Sequence, residues 1–445
     1  MAQQDRLESR IPSCDAYFDR IQSKKRLPHS LQESLTSSFA KIPSSSFPLV
    51  PGGKVIEISA DTSVVDAVRT LSEHNIMAAP VTNPEGSTYI DWRERYLGLV
   101  DYCAIIHWVL ESAEVAAVAL TAGSATAAGV GAGALGTIGV GVAWGATGPL
   151  AVAGLTIAAI GAAVAGGLAA ESGMAIDAPT AADNLAEDFY KVLLQKEPFK
   201  STTVRSIVKS CRSTPFLPVA QDSSMLTVLL LLSKYRLKNV PVIEAGKPHI
   251  RNFITQTAVV QGLKQCKGSD WFDFIAARPL SDFGLPFMSH KEVISINSDE
   301  LILEAFKRMK DNQVGGLPVI EAGSGRRIIG SVSIQDIRFL LLRPRLFSDF
   351  RHLTVLNFMK SIASVDMDLT NSLATPVTCS PGARLGSVIE SLASKSAHRI
   401  YVVEGDDAEV IGVVTLRDVI SCFVYEPSDH FDNYFGFATK EILNQ

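Results

Sequence analysis

Two stretches of this 445-residue chain carry the same reactive groups at the same spacing. Gly330-Ser331-Val332-Ser333-Ile334-Gln335-Asp336 and Gly412-Val413-Val414-Thr415-Leu416-Arg417-Asp418 both fit G-x-x-[ST]-x-x-D. The hydroxyl falls where a strand gives way to a helix, and the acid lies one turn in. This pattern suits two chemistries. In a nucleotide seat, free N–H groups and the hydroxyl at the helix start meet a phosphate, and the carboxylate accepts from ribose hydroxyls. In a capping box, Ser333 or Thr415 caps the helix while Asp336 or Asp418 reaches back to the backbone. One copy alone favours the cap; two copies in register leave both open.

His398-Arg399 shifts the balance towards a seat. The pair immediately precedes the apolar run of the fourth repeat, so it lies at the N-terminal lip of a strand. Arg399 offers a planar, permanently charged fork suited to phosphate, and His398 can donate beside it. Equivalent places hold Lys238-Asn239, Met77-Ala78 and Gly315-Gly316. The two glycines would let a ligand ring approach the backbone, or relieve a tight turn.

Other chemistries find no support. Gly131-x-Gly133-x-x-Gly136 mimics a dinucleotide fingerprint, yet no β-branched strand leads into it and no acid follows about 20 residues on. No GxxxxGK[ST], HExxH, GxSxG or kinase DFG/HRD set occurs, so a non-catalytic chain is expected. The remaining histidines are scattered without ligand spacing, and no metal is expected. Six cysteines, at 14, 103, 211, 266, 379 and 422, form no CxxC pattern, which points to free thiols in a reducing compartment. A net charge of −5 leaves no basic footprint for nucleic acid.

The elements that must position these groups are written four times. Val64/Ala67/Val68/Leu71, Met225/Val228/Leu229/Leu232, Ile302/Ala305/Phe306/Met309 and Leu385/Val388/Ile389/Leu392 each follow i, i+3, i+4, i+7, one buried stripe of an amphipathic helix. Nine residues after each set stands Pro80, Pro241, Pro318 or Tyr401 inside a short apolar run. Asp61, Asp222 and Asp299 precede three of the stripes and suit helix starts. Strands at 55–58 and 293–296, a stripe helix, the apolar run, a turn, a second strand and a last helix give an α/β unit, β-α-β-β-α, of about 50–60 residues. Units that small are expected to pair.

The expected division is an N-terminal extension at 1–52, repeats at 53–112, 198–264, 282–345 and 370–427, and a tail at 428–445. An uncharged Gly/Ala-rich insertion occupies 113–180. Residues 115–170 carry no charge and include 13 glycines. One interpretation is a membrane hairpin with small-xxx-small packing at Gly129/Gly133 and Gly141/Gly145. Against it, Ala and Gly drive insertion poorly and acids flank the segment. The other interpretation is a low-complexity insertion outside the fold. The acidic N-terminus without an early apolar run argues against a signal peptide.

The four units resemble CBS motifs. The whole resembles the gamma regulatory subunits of AMP-activated/SNF1-type protein kinases, and is most similar to their plant form. The stretches that carry this are LLLLSKYRLKNVPVIE (229–244), SDFGLPFMS (281–289), KRMKDNQVGGLPVIE (307–321), HRIYVVE (398–404), TLRDVI (415–420) and YEPSDHFDNYFG (425–436). The resemblance implies two Bateman pairs in a disk, with adenine nucleotide (AMP, ADP or ATP) in central clefts. It also implies docking to a kinase catalytic alpha subunit and a beta scaffold, in energy- or sugar-status signalling in the cytoplasm or nucleus. It assigns ribose binding to Asp336 and Asp418 and a phosphate-facing role to His398-Arg399, with Ser333 and Thr415 beside them. The first pair departs from the pattern: Ala104 and Ala258 stand at the acid's place and Met77 where an Arg is expected. Two alternatives are a membrane-associated CBS protein anchored by 115–170, and a kinase scaffold without ligand.

Overall fold

The computed structural model describes residues 18–84, 91–111, 202–210, 216–244, 246–288, 290–323, 325–343, 346, 352–363, 375–405, 407–428 and 430–431. The Gly/Ala segment with both of its interpretations, the glycine pattern at 131–136, Cys14 and Cys211 lie outside them.

Four three-stranded sheets follow one plan. The first holds β1 (Ile58–Ser59), β2 (Ala78–Thr82) and β3 (Tyr96–Asp101); the second β4 (Val219–Ala220), β5 (Asn239–Ile243) and β6 (Ile250–Thr255). The third holds β7 (Ile296–Asn297), β8 (Gly316–Ile320) and β9 (Ile328–Ser333); the fourth β10 (Thr378–Cys379), β11 (Arg399–Glu404) and β12 (Glu409–Thr415). In each sheet the middle strand pairs parallel with the short first strand and antiparallel with the third. Each antiparallel pair shifts register at the same place, such as Val81/Thr82 and Val319/Ile320.

Proline in a central strand removes a ladder donor. Here the first strand is only two residues long and pairs with the residues after Pro80, Pro241 and Pro318, so the missing N–H is never called on. The fourth repeat has Tyr401 instead, and its N–H donates to Val377 O at 2.8 Å.

The stripe helices span Val64–Glu73, Met225–Ser233, Ile302–Asp311 and Leu385–Ser394. In the first, third and fourth the buried residues are the four stripe positions. The second differs: Leu226 through Ser233 are all buried. The cause is a helix at His29–Lys41, inside a segment that composition presents only as polar; it turns Leu35, Thr36 and Phe39 onto the second stripe helix. The acids expected to start these helices do not cap them. Ser63 accepts from the Asp66 N–H and Ser224 from the Thr227 N–H, while Asp61 pairs with Arg205. A residue with left-handed backbone ends each helix: Asn75, Arg236, Gln313 and Ser396, with φ between 48° and 58°. None is glycine, so the sequence gives no Gly signal for these stops.

The repeats complete one another. Bridges join Ser224 to Pro43, Ser63 to Thr203, Leu301 to Thr354 and Arg384 to Pro279. The segment entering each repeat therefore closes the stripe helix of its partner, first with second and third with fourth. One apolar core unites repeats one and three, another repeats two and four with the N-terminal helix. Two small sheet-side cores join one with two (Tyr96, Leu99, Phe253) and three with four (Ile328, Tyr401, Val410). Each repeat thus has one neighbour through its helices and another through its sheet, in two pairs.

Phe306, fully buried and edge-on to Phe358 at 6.4 Å, ties a stripe helix to the helix Val355–Ala363 that enters the next repeat. Phe306→Ala is expected to cost about 3–5 kcal/mol, seen as a lower urea midpoint. Phe274→Ala, at a ring 45% exposed, is expected to leave it within about 1 kcal/mol.

Candidate functional site

The two G-x-x-[ST]-x-x-D stretches take up their hydroxyls and acids at matching places, because the third strand of a repeat ends where its last helix begins. Ser333 ends β9 and Thr415 ends β12. The lip residue of the middle strand holds each start: the Ile334 N–H donates to Gly315 O at 3.1 Å, and the Leu416 N–H to His398 O at 3.2 Å. Asp336 and Asp418 are 3% and 2% exposed. The Ser333 N–H donates to Asp336 Oδ2 at 2.7 Å; the Thr415 N–H and hydroxyl both donate to Asp418 Oδ2 at 2.8 Å. Capping is therefore realised in both copies.

Capping does not use up the third-repeat acid. Asp336 Oδ1 is buried and makes no hydrogen bond. A buried acceptor left unmade costs about 1–3 kcal/mol, so this oxygen is suited to receive a hydroxyl group from a ligand. Burial pushes the Asp336 carboxyl above the usual carboxylate range, opposed by the Ser333 N–H and by Arg338 and Arg399.

Arg399 joins the two copies. In register it lies opposite Thr415, while Gly316 lies opposite Ser333. Its guanidinium crosses from the fourth repeat to the third and donates from Nη1 to Gly316 O at 2.6 Å. A Cβ on Gly315 would stand 2.8 Å from Nη2, and one on Gly316 2.7 Å from Nη1 and 2.8 Å from Val332 O. The structure gives these glycines a further role, room for a cation from the adjoining repeat. Tyr401 supports the same seam, its hydroxyl 3.1 Å from Ser331 Oγ. His398 is pushed down to about 4 by burial, by Arg399 and by Lys238. It is therefore a neutral imidazole at physiological pH.

The first pair is built otherwise. Asp101 ends β3 at the place of Ser333, and its Oδ1 accepts from the Ala104 N–H at 2.9 Å. Lys238, at the place of His398, reaches across from the second repeat to Asp101 Oδ2 at 3.0 Å and Cys103 Sγ at 2.9 Å. Burial works against its charge, but Asp101 and Cys103 beside it prevail and hold the ammonium above its ordinary value. Where the second pair presents an acceptor, the first carries an ion pair between its own repeats. Sequence reasoning noticed Ala104 and overlooked Asp101; the signal was an acid three residues before it, at the hydroxyl's place. Among the described residues no group of three or more His, Cys, Asp or Glu is placed to hold a metal ion.

A family model described as the CBS domain matches residues 281–343 and 368–425. The SNF1-related protein kinase regulatory subunit gamma-1-like of Arabidopsis thaliana is 62% identical over 440 residues, 99% of this chain and 98% of that protein. The regulatory subunit gamma-1 of the same plant is 34% identical over 411 residues, 91% of this chain and 87% of that protein. The human 5'-AMP-activated protein kinase subunit gamma-3 is 23% identical over 239 residues, 52% of this chain and 45% of that protein.

Two outcomes follow from the geometry. Gly316→Ala is expected to lose about 1–3 kcal/mol by thermal unfolding, since the strand carbonyl cannot swing away as a side chain can. Gly382→Ala, with open space around it, serves as control. By NMR, the His398 imidazole is expected to titrate near pH 4, and to move upward in Lys238→Met when one neighbouring cation is gone.

Proposed function

The chain belongs to the CBS-domain gamma regulatory subunits of SNF1-related protein kinases, and from that membership we propose that its third and fourth repeats seat an adenine nucleotide. It is a regulatory, non-catalytic subunit. The observation that carries the proposal is the unused Asp336 Oδ1 beside the Ser333 hydroxyl, faced by a cation from the adjoining repeat.

The roles divide by chemistry. Asp336 Oδ1 accepts from a ribose hydroxyl, with Ser333 Oγ beside it. Arg399 trades its bond to Gly316 O for a phosphate, a charge-assisted contact roughly twice as strong as a neutral one. His398, neutral when the seat is empty, donates to the same phosphate; an anion beside it raises its affinity for a proton. Thr415 and Asp418 form the matching wall in the fourth repeat. The first pair, closed by Lys238 and Asp101, takes no nucleotide in this proposal.

Regulation then follows from linkage. A ligand spanning Asp336 and Arg399 favours the arrangement in which repeats three and four stay closed along their sheet seam. A kinase catalytic subunit and a beta scaffold that contact the pair would sense the difference. We place this action in the cytoplasm or nucleus, testable by a fluorescent fusion. A membrane anchor at 115–170 falls outside the described residues; among those described, no helix is long and apolar enough to cross a membrane.

Calorimetry with AMP, ADP and ATP tests the proposal. The wild-type chain is expected to take one adenylate, with Asp336→Asn and Arg399→Gln each weakening it tenfold or more, on the order of the 1.4 kcal/mol or larger expected of a charged contact. No heat with the wild type would leave a scaffold without ligand.

A further inference from the structure

In the first seam a thiol lies against a cation. The Lys238 ammonium, reaching across from the second repeat, donates to Cys103 Sγ at 2.9 Å and to Asp101 Oδ2 at 3.0 Å. These three groups come from two repeats, and the nucleotide seat proposed above uses none of them. Cys103 packs against the core of repeats one and three, where a small apolar side chain would serve as well. What sets a cysteine apart is its reactivity.

Two features stabilise negative charge on this sulfur. Residues 102–111 are helical, so Cys103 stands in the first turn of a helix, at its positive end. The second feature is the Lys238 ammonium, which Asp101 and Cys103 keep charged. Asp101 opposes a second anion, but both of its oxygens are engaged, Oδ1 by the Ala104 N–H and Oδ2 by Lys238. The thiolate is the attacking form of cysteine, and a helix start beside a lysine is a place that favours it. Solvent reaches the pair: Cys103 is half-buried, and the Lys238 side chain is 38% exposed.

The other described cysteines stand in different surroundings. Cys266 and Cys379 are also half-buried, so exposure does not separate them from Cys103. Burial alone pushes both thiols up, that of Cys379 to about 11. Cys422 is fully buried, with its Sγ donating to Asp418 O at 3.3 Å.

We propose that Cys103 is a peroxide-reactive modification site, with Lys238 as the positioning residue that holds its sulfur ready for attack. Hydrogen peroxide is the co-reactant. The sulfur attacks one peroxide oxygen, and an S–O bond forms as the O–O bond breaks. The departing hydroxide takes up the proton that the thiol gave up and leaves as water. Sulfur loses two electrons, the peroxide gains them, and the product is a sulfenic acid. The added oxygen stands beside the ion pair that joins repeats one and two, so the first seam carries the modification.

The test exposes the reduced, full-length chain to hydrogen peroxide with dimedone present to trap sulfenic acid, and follows the adduct at each cysteine by mass spectrometry. Cys103 is expected to be labelled about tenfold faster than Cys266 and Cys379, the gain in thiolate that a neighbouring cation brings. Lys238→Met is expected to slow Cys103 about tenfold, and Lys238→Arg to keep most of the rate because it restores the charge. Thermal melts show which variants fold. Should Lys238→Met not fold, the comparison of cysteines in the wild type and in Lys238→Arg decides. Labelling of Cys103 no faster than of Cys266, or at the wild-type rate in a folded Lys238→Met, would overturn the proposal. No nucleotide enters the measurement, so its outcome is separate from that of the adenylate seat.

Discussion

A β-α-β-β-α unit of about 50–60 residues cannot bury both its helical face and its sheet face against itself, and the architecture follows from how that shortage is met. Each stripe helix is closed by the segment that enters the partner repeat, through bridges such as Ser63 to Thr203 and Leu301 to Thr354. Each helical face is then buried against a third unit, one against three and two against four. What remains is the seam between the sheets of a pair, closed by only a small apolar core, where the strand lips and helix starts of both repeats face each other. Chemistry collects there because that seam is where polar ends of elements meet across a boundary.

The two seams have been filled in opposite ways. Between repeats one and two, Lys238 of one meets the buried Asp101 of the other, and the charges answer each other. Between repeats three and four, Arg399 donates to the Gly316 carbonyl, and Asp336 keeps an oxygen without a partner. An ion pair already made to a buried carboxylate has little reason to open for a ligand, since breaking it strands the Asp101 charge. An arginine on a backbone carbonyl beside an unsatisfied acid is the reverse case. The same scaffold thus carries an ion pair in one seam and an unpaired acid oxygen in the other through a few side chains at equivalent positions.

Much of this was legible in the sequence, and the limits have physical causes. The i, i+3, i+4, i+7 stripes located the four first helices, because burial on one face leaves a periodic trace. The trace misled only at Met225–Ser233, whose second face is covered by His29–Lys41, a helix with too weak an apolar pattern to declare itself. Helix stops at Asn75, Arg236, Gln313 and Ser396 carried no glycine signal, since side chains tolerate left-handed backbone when the fold insists. At the site, the spacing of Ser333 with Asp336 and of Thr415 with Asp418 gave the local geometry. The contacts on which the proposed seat depends are between repeats: Arg399 over Gly315-Gly316 and Lys238 on Asp101. Nothing in one repeat's spacing tells which neighbour its lip residue will reach.

The central claim is that a single receptive seam, between repeats three and four, holds an adenylate by its sugar and its phosphate at once. A crystal structure of the full chain grown with AMP tests it most directly. The account predicts a ribose hydroxyl within hydrogen-bond distance of Asp336 Oδ1 and phosphate oxygens on Arg399, with the Lys238–Asp101 pair intact and its seam without nucleotide. A nucleotide found between repeats one and two with that ion pair broken, or an adenylate touching neither Asp336 nor Arg399, would contradict it.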